Sequence, residues 1–398
     1  MNILTKIKIL LYGCLARLLN AMIPVKKKHW VFASNYGMAF DEGPRNLILY
    51  ILNNKTDINC TFITQNNNVY KYCKAHNIPC RKNLSIKGIK KIVQADMVFT
   101  SHAGSDILYA YPKKRRRFFY LMHGQPYKRG LGCLTVGYWK EIMPHSNLLH
   151  DISKVFTQHL VNSGFYEECS MVSATSEFTA KYMAQYFTRK TEVKILGSPR
   201  CDILFNKNFF INSPLKKYRD KIVVTYMPTH RNYGKGKIPP TLFINNKSMQ
   251  NWLRENNMII LIKQHPQMLK SLNNVFTNDV IIDISHSNLD PFDILFHTDV
   301  LISDYSSVWI DFLLLQRPII HYFYDDFINN DQGTLYNLNE VPSCHKAYSE
   351  DELELLLKQC KENYQKMCPP KEIVNYYHKY IDGNSCQRHY YEIMKYYN

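Results

Sequence analysis

The chain has no C-x-x-C pair, and its eleven cysteines are scattered through 398 residues. An odd number spread over a long chain is not a disulfide framework, so a reducing compartment is the expected setting. The nearest approach to a metal set is Cys73, His76 and Cys80, which falls short of the four ligands of a closed zinc site. No metal site and no cofactor are therefore expected from these residues, while a metal requirement stays open. The chain also lacks an uncharged apolar run long enough to span a bilayer. Residues 3–23 are apolar in bulk but carry Lys6, Lys8 and Arg17, where a spanning helix needs about 20 apolar residues with few charges. No small-residue cleavage site follows them, so a signal peptide is not expected. There is no internal repeat and no low-complexity segment. Neither a recognition-helix motif nor an aromatic RNA-binding signature is present, which argues against a nucleic-acid partner. Negative charge is in deficit as well: 33 acidic residues face 50 Lys and Arg, for a formal net charge of +17. Such a balance calls for an anionic partner, and charge alone does not choose between nucleic acid, an anionic membrane surface and a phosphate-rich substrate.

What is present is apolar residue enough for two domains: 45% of the chain is hydrophobic, and its length exceeds one ordinary core. Apolar runs at His29–Ala33, Asn59–Ile63, Met97–Thr100, Phe118–Met122 and Ser170–Ala174 read as strands. So do Lys194–Leu196, Ile222–Tyr226, Met258–Ile262, Val280–Ile284, Val300–Ile302 and Ile319–Phe323, which the periodicity places in the second half. Helical patterns such as Arg45–Leu52, Asp290–His297 and Val308–Leu315 alternate with them. Alternation of this kind predicts two α/β domains with mostly parallel sheets. Gly197 and Pro199 mark the boundary, giving residues 29–196 and 197–398. Residues 1–28 are set apart as an amphipathic helix that lies in a membrane surface, its cations reaching headgroups. Packing of that helix on the protein's own core is the alternative. Lys113–Arg117 is a second cationic block, either a solvated loop or a further anion contact.

The clearest local signal is Val300–Tyr324. A buried strand stops at Ser303-Asp304-Tyr305-Ser306-Ser307, a helix follows, and Arg317-Pro318 leads into another strand. Ligands of open parallel sheets bind at such strand-to-helix turns. Ser306 and Ser307 are thus either phosphate ligands at a helix start or, with Asp304, simple helix caps. His123 follows the strand Phe118–Met122 and precedes Gly124. An imidazole at a strand's carboxyl end can take a proton near neutral pH; a purely positioning histidine is the other reading. His265, after Lys263 and Gln264, holds the same place beyond its own strand.

These elements together resemble the C-terminal and central motifs of the CDP-glycerol glycerophosphotransferase family, the teichoic-acid primases and polymerases and their capsule-polymer relatives. Asp304-Tyr305-Ser306-Ser307, Asp311-Phe312, Arg317-Pro318 and Tyr324-Asp325 carry the resemblance. So do His123-Gly124-x-Pro126-x-Lys128, Gly197-Ser198-Pro199-Arg200-Cys201-Asp202, Met227-Pro228-Thr229-His230-Arg231, His265-Pro266 and Asp382-Gly383-x-Ser385-x-x-Arg388. It covers roughly residues 29 to 390. The resemblance implies a GT-B-like pair of Rossmann-like domains facing a cleft, the first on the acceptor side and the second binding a CDP-linked donor. It implies transfer of a polyol phosphate from CDP-glycerol or CDP-ribitol to a lipid-linked or polymeric acceptor, at the cytoplasmic face of the membrane, with release of CMP.

In that frame His123 is the expected general base and His265 its catalytic companion. Gly124, Gln125 and Lys128 fall on the acceptor side. Pro228, Thr229, Arg231, Lys263, Asp304, Ser306, Ser307, Ser385 and Arg388 are expected around the donor diphosphate, with Asp304 capping the helix or orienting a neighbour rather than touching phosphate. Arg200 and Asp202 are expected to be structural. The sequence departs from the family pattern at Gln125, at His230 and Asn232, and at Gln332-Gly333-Thr334, which bears on the polyol more than on the chemistry. Two other classes remain open: a GT-B glycosyltransferase using a nucleotide sugar, and a non-enzymatic basic protein that binds anionic lipid or nucleic acid.

Overall fold

The computed structural model describes residues 15, 16, 18–54, 57–107, 117–125, 127, 169–187, 190–229, 242–265, 277–325 and 334–398. The chain divides into two compact units. The first comprises residues 1–123, 131–202 and 382–398, and the second residues 124–130 and 203–381.

The first unit is built on β1 (Lys26–Ala33), β2 (Asn59–Thr64), β3 (Cys80–Lys82), β4 (Ala95–Thr100), β5 (Arg117–Tyr120), β6 (Cys169–Ala174) and β7 (Glu192–Ile195). They form one sheet in the order β3-β2-β1-β4-β5-β6-β7, every pair parallel. Parallel strands covered on both faces need continuous apolar sequence rather than alternation. β4 and β5 satisfy this with Val98, Phe99, Phe118 and Phe119, all buried. Phe99 stacks between Phe32 at 4.7 Å and Phe119 at 4.9 Å.

The second unit holds β8 (Ile222–Met227), β9 (Met258–Ile262), β10 (Ile281–Asp283), β11 (Val300–Ser303), β12 (Ile319–Tyr322) and β13 (His345–Ala347). Their order is β10-β9-β8-β11-β12-β13, again all parallel. In both sheets the first strand sits between the second and the fourth, so the strand order reverses there. Crevices for ligands open beyond the carboxyl ends of the strands at such a point. That places the sites of interest after β1 and β4 in one unit and after β8 and β11 in the other.

The expected class, α/β with two mostly parallel Rossmann-like sheets, is the one observed. Several details differ. Lys26–Lys28, set with the helix of residues 1–28, instead open the strand β1. The pattern groups β7 with the strands of the second half, although the boundary at residue 196 leaves it in the first domain, where it closes the sheet beside β6. The short edge strands β3 and β13 have no apolar run to announce them. Residues 124–130 belong to the second unit, and residues 197–202 and 382–398 to the first. The reason is packing: on the helix Ser385–Met394, Cys386, Tyr390 and Ile393 join the core around Trp30, Leu47 and Phe119.

Candidate active site

In the first unit the turn after β1 and the turn after β4 are locked together by one carboxylate. Asp106 accepts the backbone N–H groups of Tyr36 (2.6 Å), Ser101 (2.8 Å) and His102 (2.8 Å). Ser101 Oγ also donates to it at 3.3 Å. Asn35 and Tyr36 both adopt positive φ, 46° and 56°, a conformation that costs an ordinary residue energy and persists only where its surroundings fix it. Burial pushes the Asp106 carboxyl up to about 7, against the lowering by those backbone donors.

Between the ordinary Asp value of 3.8 and about 7, the folded chain keeps a proton that the unfolded chain has lost. Asp106 therefore contributes stability that is lost as pH rises across that window. Thermal melts from pH 4 to pH 8 should show Asp106→Asn with a flatter decline than the parent. An unchanged slope would refute the assignment.

The locked turn carries an aromatic stack. His102 lies against Tyr36 at 4.8 Å and against His123 at 4.3 Å, the two imidazoles tilted by only 12°. Burial, then the charges of His123 and Arg200, drive the His102 imidazole down to about 2, so it stacks as a neutral ring. His123 itself is solvent-exposed and follows Met122, whose φ of 54° turns the chain at the end of β5. Its Nδ1 lies 3.1 Å from the Ser101 carbonyl oxygen and 3.4 Å from Tyr120 Oη. A carbonyl only accepts, so Nδ1 carries the hydrogen and Nε2 is the basic nitrogen. Sequence reasoning found His123 but not Tyr36, His102 or Asp106. Their only signal is position, just beyond the carboxyl ends of β1 and β4.

In the second unit Asp304, fully buried, ties the two turns at the strand reversal. Its Oδ1 accepts the Thr229 N–H at 2.7 Å, and Ser303 Oγ donates to the Met227 carbonyl at 3.0 Å. Pro228 is buried beside Thr229. Asp304 thus orients the β8 turn. The helix that follows spans Val308–Leu315 as the sequence pattern implies, an α segment Val308–Phe312 continued as a 3₁₀ turn, Leu313–Leu315. Ser307 stands at its N-cap without a side-chain cap bond. Ser306 Oγ is a distant 3.5 Å from the Val308 N–H. Both serines are half-buried, and neither hydroxyl is committed to a strong cap. His265 is exposed beyond β9.

Three expected donor ligands are engaged elsewhere. Lys263 Nζ donates to the carbonyls of Ile284 (3.4 Å), Ser285 (3.2 Å) and Ser287 (2.9 Å). These take up the three hydrogens of an ammonium. Burial lowers its pKa. Lys263 therefore braces the β9 and β10 turns. Ser385 and Arg388 lie in the first unit. Ser385 Oγ donates to the Leu196 carbonyl at 3.0 Å, and Arg388 Nε to the same oxygen at 2.9 Å. The Arg388 fork also grips Asp382 at 2.7 and 3.0 Å. Asp202, as a structural residue should, accepts the N–H groups of Ser385 (3.0 Å) and Cys386 (2.6 Å). The late Asp-Gly motif is thus a clasp for the last helix. Arg231 and Lys128 lie outside the described residues, as do Pro126, His230, Asn232, Gln332, Gly333 and all of Lys113–Arg116.

Two glutamines deserve a place beside these groups. Gln125 and Gln264 are both buried, and among the described residues the Oε1 of each has no hydrogen-bond partner. Buried polar atoms are nearly always satisfied. Gln125 was expected on the acceptor side from its motif position, and Gln264 was passed over between Lys263 and His265.

Comparison with known proteins adds a family. The family model described as CDP-glycerol:poly(glycerophosphate) glycerophosphotransferase matches residues 15–395. The chain is 28% identical over 224 residues to the teichoic acid glycerol-phosphate primase of Bacillus subtilis (strain 168), a match covering 56% of either chain. It is 26% identical over 380 residues to the teichoic acid poly(glycerol phosphate) polymerase of Bacillus spizizenii, covering 86% of this chain and 89% of that one. Among solved structures, that of the wall teichoic acid polymerase TagF superposes with a TM-score of 0.70 at 20% identity, covering 97% of this chain and 92% of the other. At that identity the likeness speaks for the fold.

Proposed function

Since the chain belongs to the CDP-glycerol:poly(glycerophosphate) glycerophosphotransferase family, we propose that it moves a polyol phosphate, glycerol phosphate in the first instance, from a CDP-linked donor to a hydroxyl of a teichoic-acid-like acceptor. The observation that carries the reading is the approach of His123 Nδ1 to the Ser101 carbonyl oxygen. With Nδ1–H held by the Ser101 carbonyl at 3.1 Å, Nε2 is the atom able to accept a proton. The acceptor hydroxyl loses its proton to Nε2 as its oxygen bonds the donor's β-phosphorus. The bridging P–O bond breaks, and CMP leaves with the electron pair. Positioning and charge stabilisation supply most of the rate in phosphoryl transfer.

Thr229, Ser306 and Ser307, with Pro228 shaping the turn, serve the donor phosphates. His265 donates a hydrogen bond to a phosphoryl oxygen, and Arg231 adds a guanidinium. Gly124, Gln125 and Lys128 serve the acceptor. Lys263, Ser385 and Arg388 are left out of this set because their donors hold protein carbonyls and Asp382.

The protein works at the membrane surface in this reading. Leu15, Leu18 and Met22 are exposed at helical spacing while Ala16 is buried, so one face meets the protein and another is apolar and open. Among the described residues no helix is long and apolar enough to cross a membrane.

One experiment tests the whole reading. The purified protein is given CDP-glycerol or CDP-ribitol with an acceptor that is either soluble or carried on anionic vesicles. CMP release with a new phosphodiester is expected from at least one donor, and raised salt should slow only the vesicle-borne reaction. Release of a nucleoside diphosphate from a nucleotide sugar, with no CMP from either CDP donor, would sink the assignment.

A further inference from the structure

A cavity of about 630 Å³ opens at the amino ends of β1, β2 and β3, at the opposite end of the first sheet from His123. That volume lies in the range of small-molecule sites, about 300–1,000 Å³. Its lining is cationic: Lys27, Lys28, Arg81 and Lys91, with His29 beside them, face one carboxylate, Asp57. Asp57 pairs with Lys28 at 2.9 Å. Lys91 Nζ instead reaches the neutral Asn59 Oδ1 at 3.2 Å, and Arg81 donates to its neighbour's carbonyl, that of Cys80, at 2.7 Å. Among the described residues neither they nor Lys27 has an acidic partner.

The backbone is bent to make this grouping. The register of β1 against β4 shifts between Lys26 and Trp30, and Lys28 within that bulge has a φ of 60°. Asp96 holds the distortion by accepting the N–H groups of Lys28 (2.7 Å) and His29 (3.1 Å). Bulges re-aim side chains, and strained residues of this kind gather at functional sites. Burial, and then the charges of Arg81 and Lys26, lower the pKa of Lys91, as expected where like charges crowd without a counterion.

We propose that this cavity is a second anion site that binds a phosphate ester, separate from the donor and acceptor groups named above. Two sources share that chemistry: a soluble polyol phosphate and the phosphodiester headgroup of an anionic lipid. Neither involves bond making, so the site acts by holding.

The test compares the full chain with Arg81→Gln/Lys91→Gln. Each is titrated at low salt with sn-glycerol 3-phosphate and, separately, sedimented with phosphatidylglycerol-containing vesicles. The double variant should lose about tenfold or more in one arm. Loss with the free ester assigns the soluble source; loss with vesicles alone assigns the headgroup. Its melting temperature in anion-free buffer should hold or rise, because a repulsive cluster has been thinned. Lys27→Gln, at an exposed position, should reproduce a smaller loss without any effect on folding. CMP release with a soluble acceptor should stay at the parental rate, which keeps this site's failure apart from failure of the proposed reaction. Parental affinity of the double variant in both arms would overturn the proposal. So would a binding loss in the double variant that comes with a fall in its melting temperature while Lys27→Gln binds as the parent does.

Discussion

His123→Ala should lower transfer by about a hundredfold or more while the chain stays folded, the usual scale for removing a general base. The side chain is exposed, and its described contacts are the Ser101 carbonyl, Tyr120 Oη and the face of His102. None of these is a core contact whose loss would unfold the sheet. The neutral His102 ring would lose its stacking partner, and Asp106 would still hold the turn. His123→Gln is the informative companion, since it restores a donor to the Ser101 carbonyl but offers no basic nitrogen. Both variants should bind CDP-linked donor as the parent does and differ from it in turnover. Near-parental turnover of either purified variant would remove His123 from the base role.

Ser306→Ala and Ser307→Ala should weaken binding of CDP more than they weaken folding. A hydrogen bond from a hydroxyl to a charged phosphate contributes about 1.5–3 kcal/mol, so each change should cost roughly tenfold or more in affinity. The folding side of the comparison is small for a structural reason. Ser307 makes no side-chain cap bond, and the Ser306 contact with Val308 is at the limit of a hydrogen bond. A serine that was mainly a cap would cost about 0.5–2 kcal/mol of stability on truncation to Ala. Calorimetric titration of CDP, set beside a melt of each variant, separates the two roles. Parental affinity with a depressed melting point would make them caps.

Much of this was legible in the sequence, and the exceptions have physical causes. Central strands such as Met258–Ile262 and Val300–Ser303 announce themselves because every residue is buried and the apolar run is long, as parallel strands covered on both faces require. The edge strands Cys80–Lys82 and His345–Ala347 are three residues long and carry charges, as edges do, so no run marks them. His123 was visible because it ends a strand and precedes Gly124. Tyr36 and His102 were not, since only the parallel pairing of β1 with β4 brings the two turns together. Lys263, Ser385 and Arg388 have the right chemistry for phosphate, and nothing in their spacing tells that nearby carbonyls take their hydrogens. The late Asp-Gly motif misled for the same reason, because its partners Leu196 and Asp202 lie almost two hundred residues away.

That separation bears on how the molecule is made. Trp30, in the first strand, donates its indole N–H to Tyr397 Oη at 2.8 Å, and the same hydroxyl meets Asp96 at 2.5 Å. Domains commonly fold in order as they leave the ribosome, the N-terminal one first. Here the sheet that begins at Lys26 must wait for residues 382–398 to be synthesised before its core is sealed, whereas residues 203–381 are all available earlier. During translation the nascent first unit is therefore the incomplete partner, its core around Trp30 of the central strand β1 open until the helix Ser385–Met394 docks.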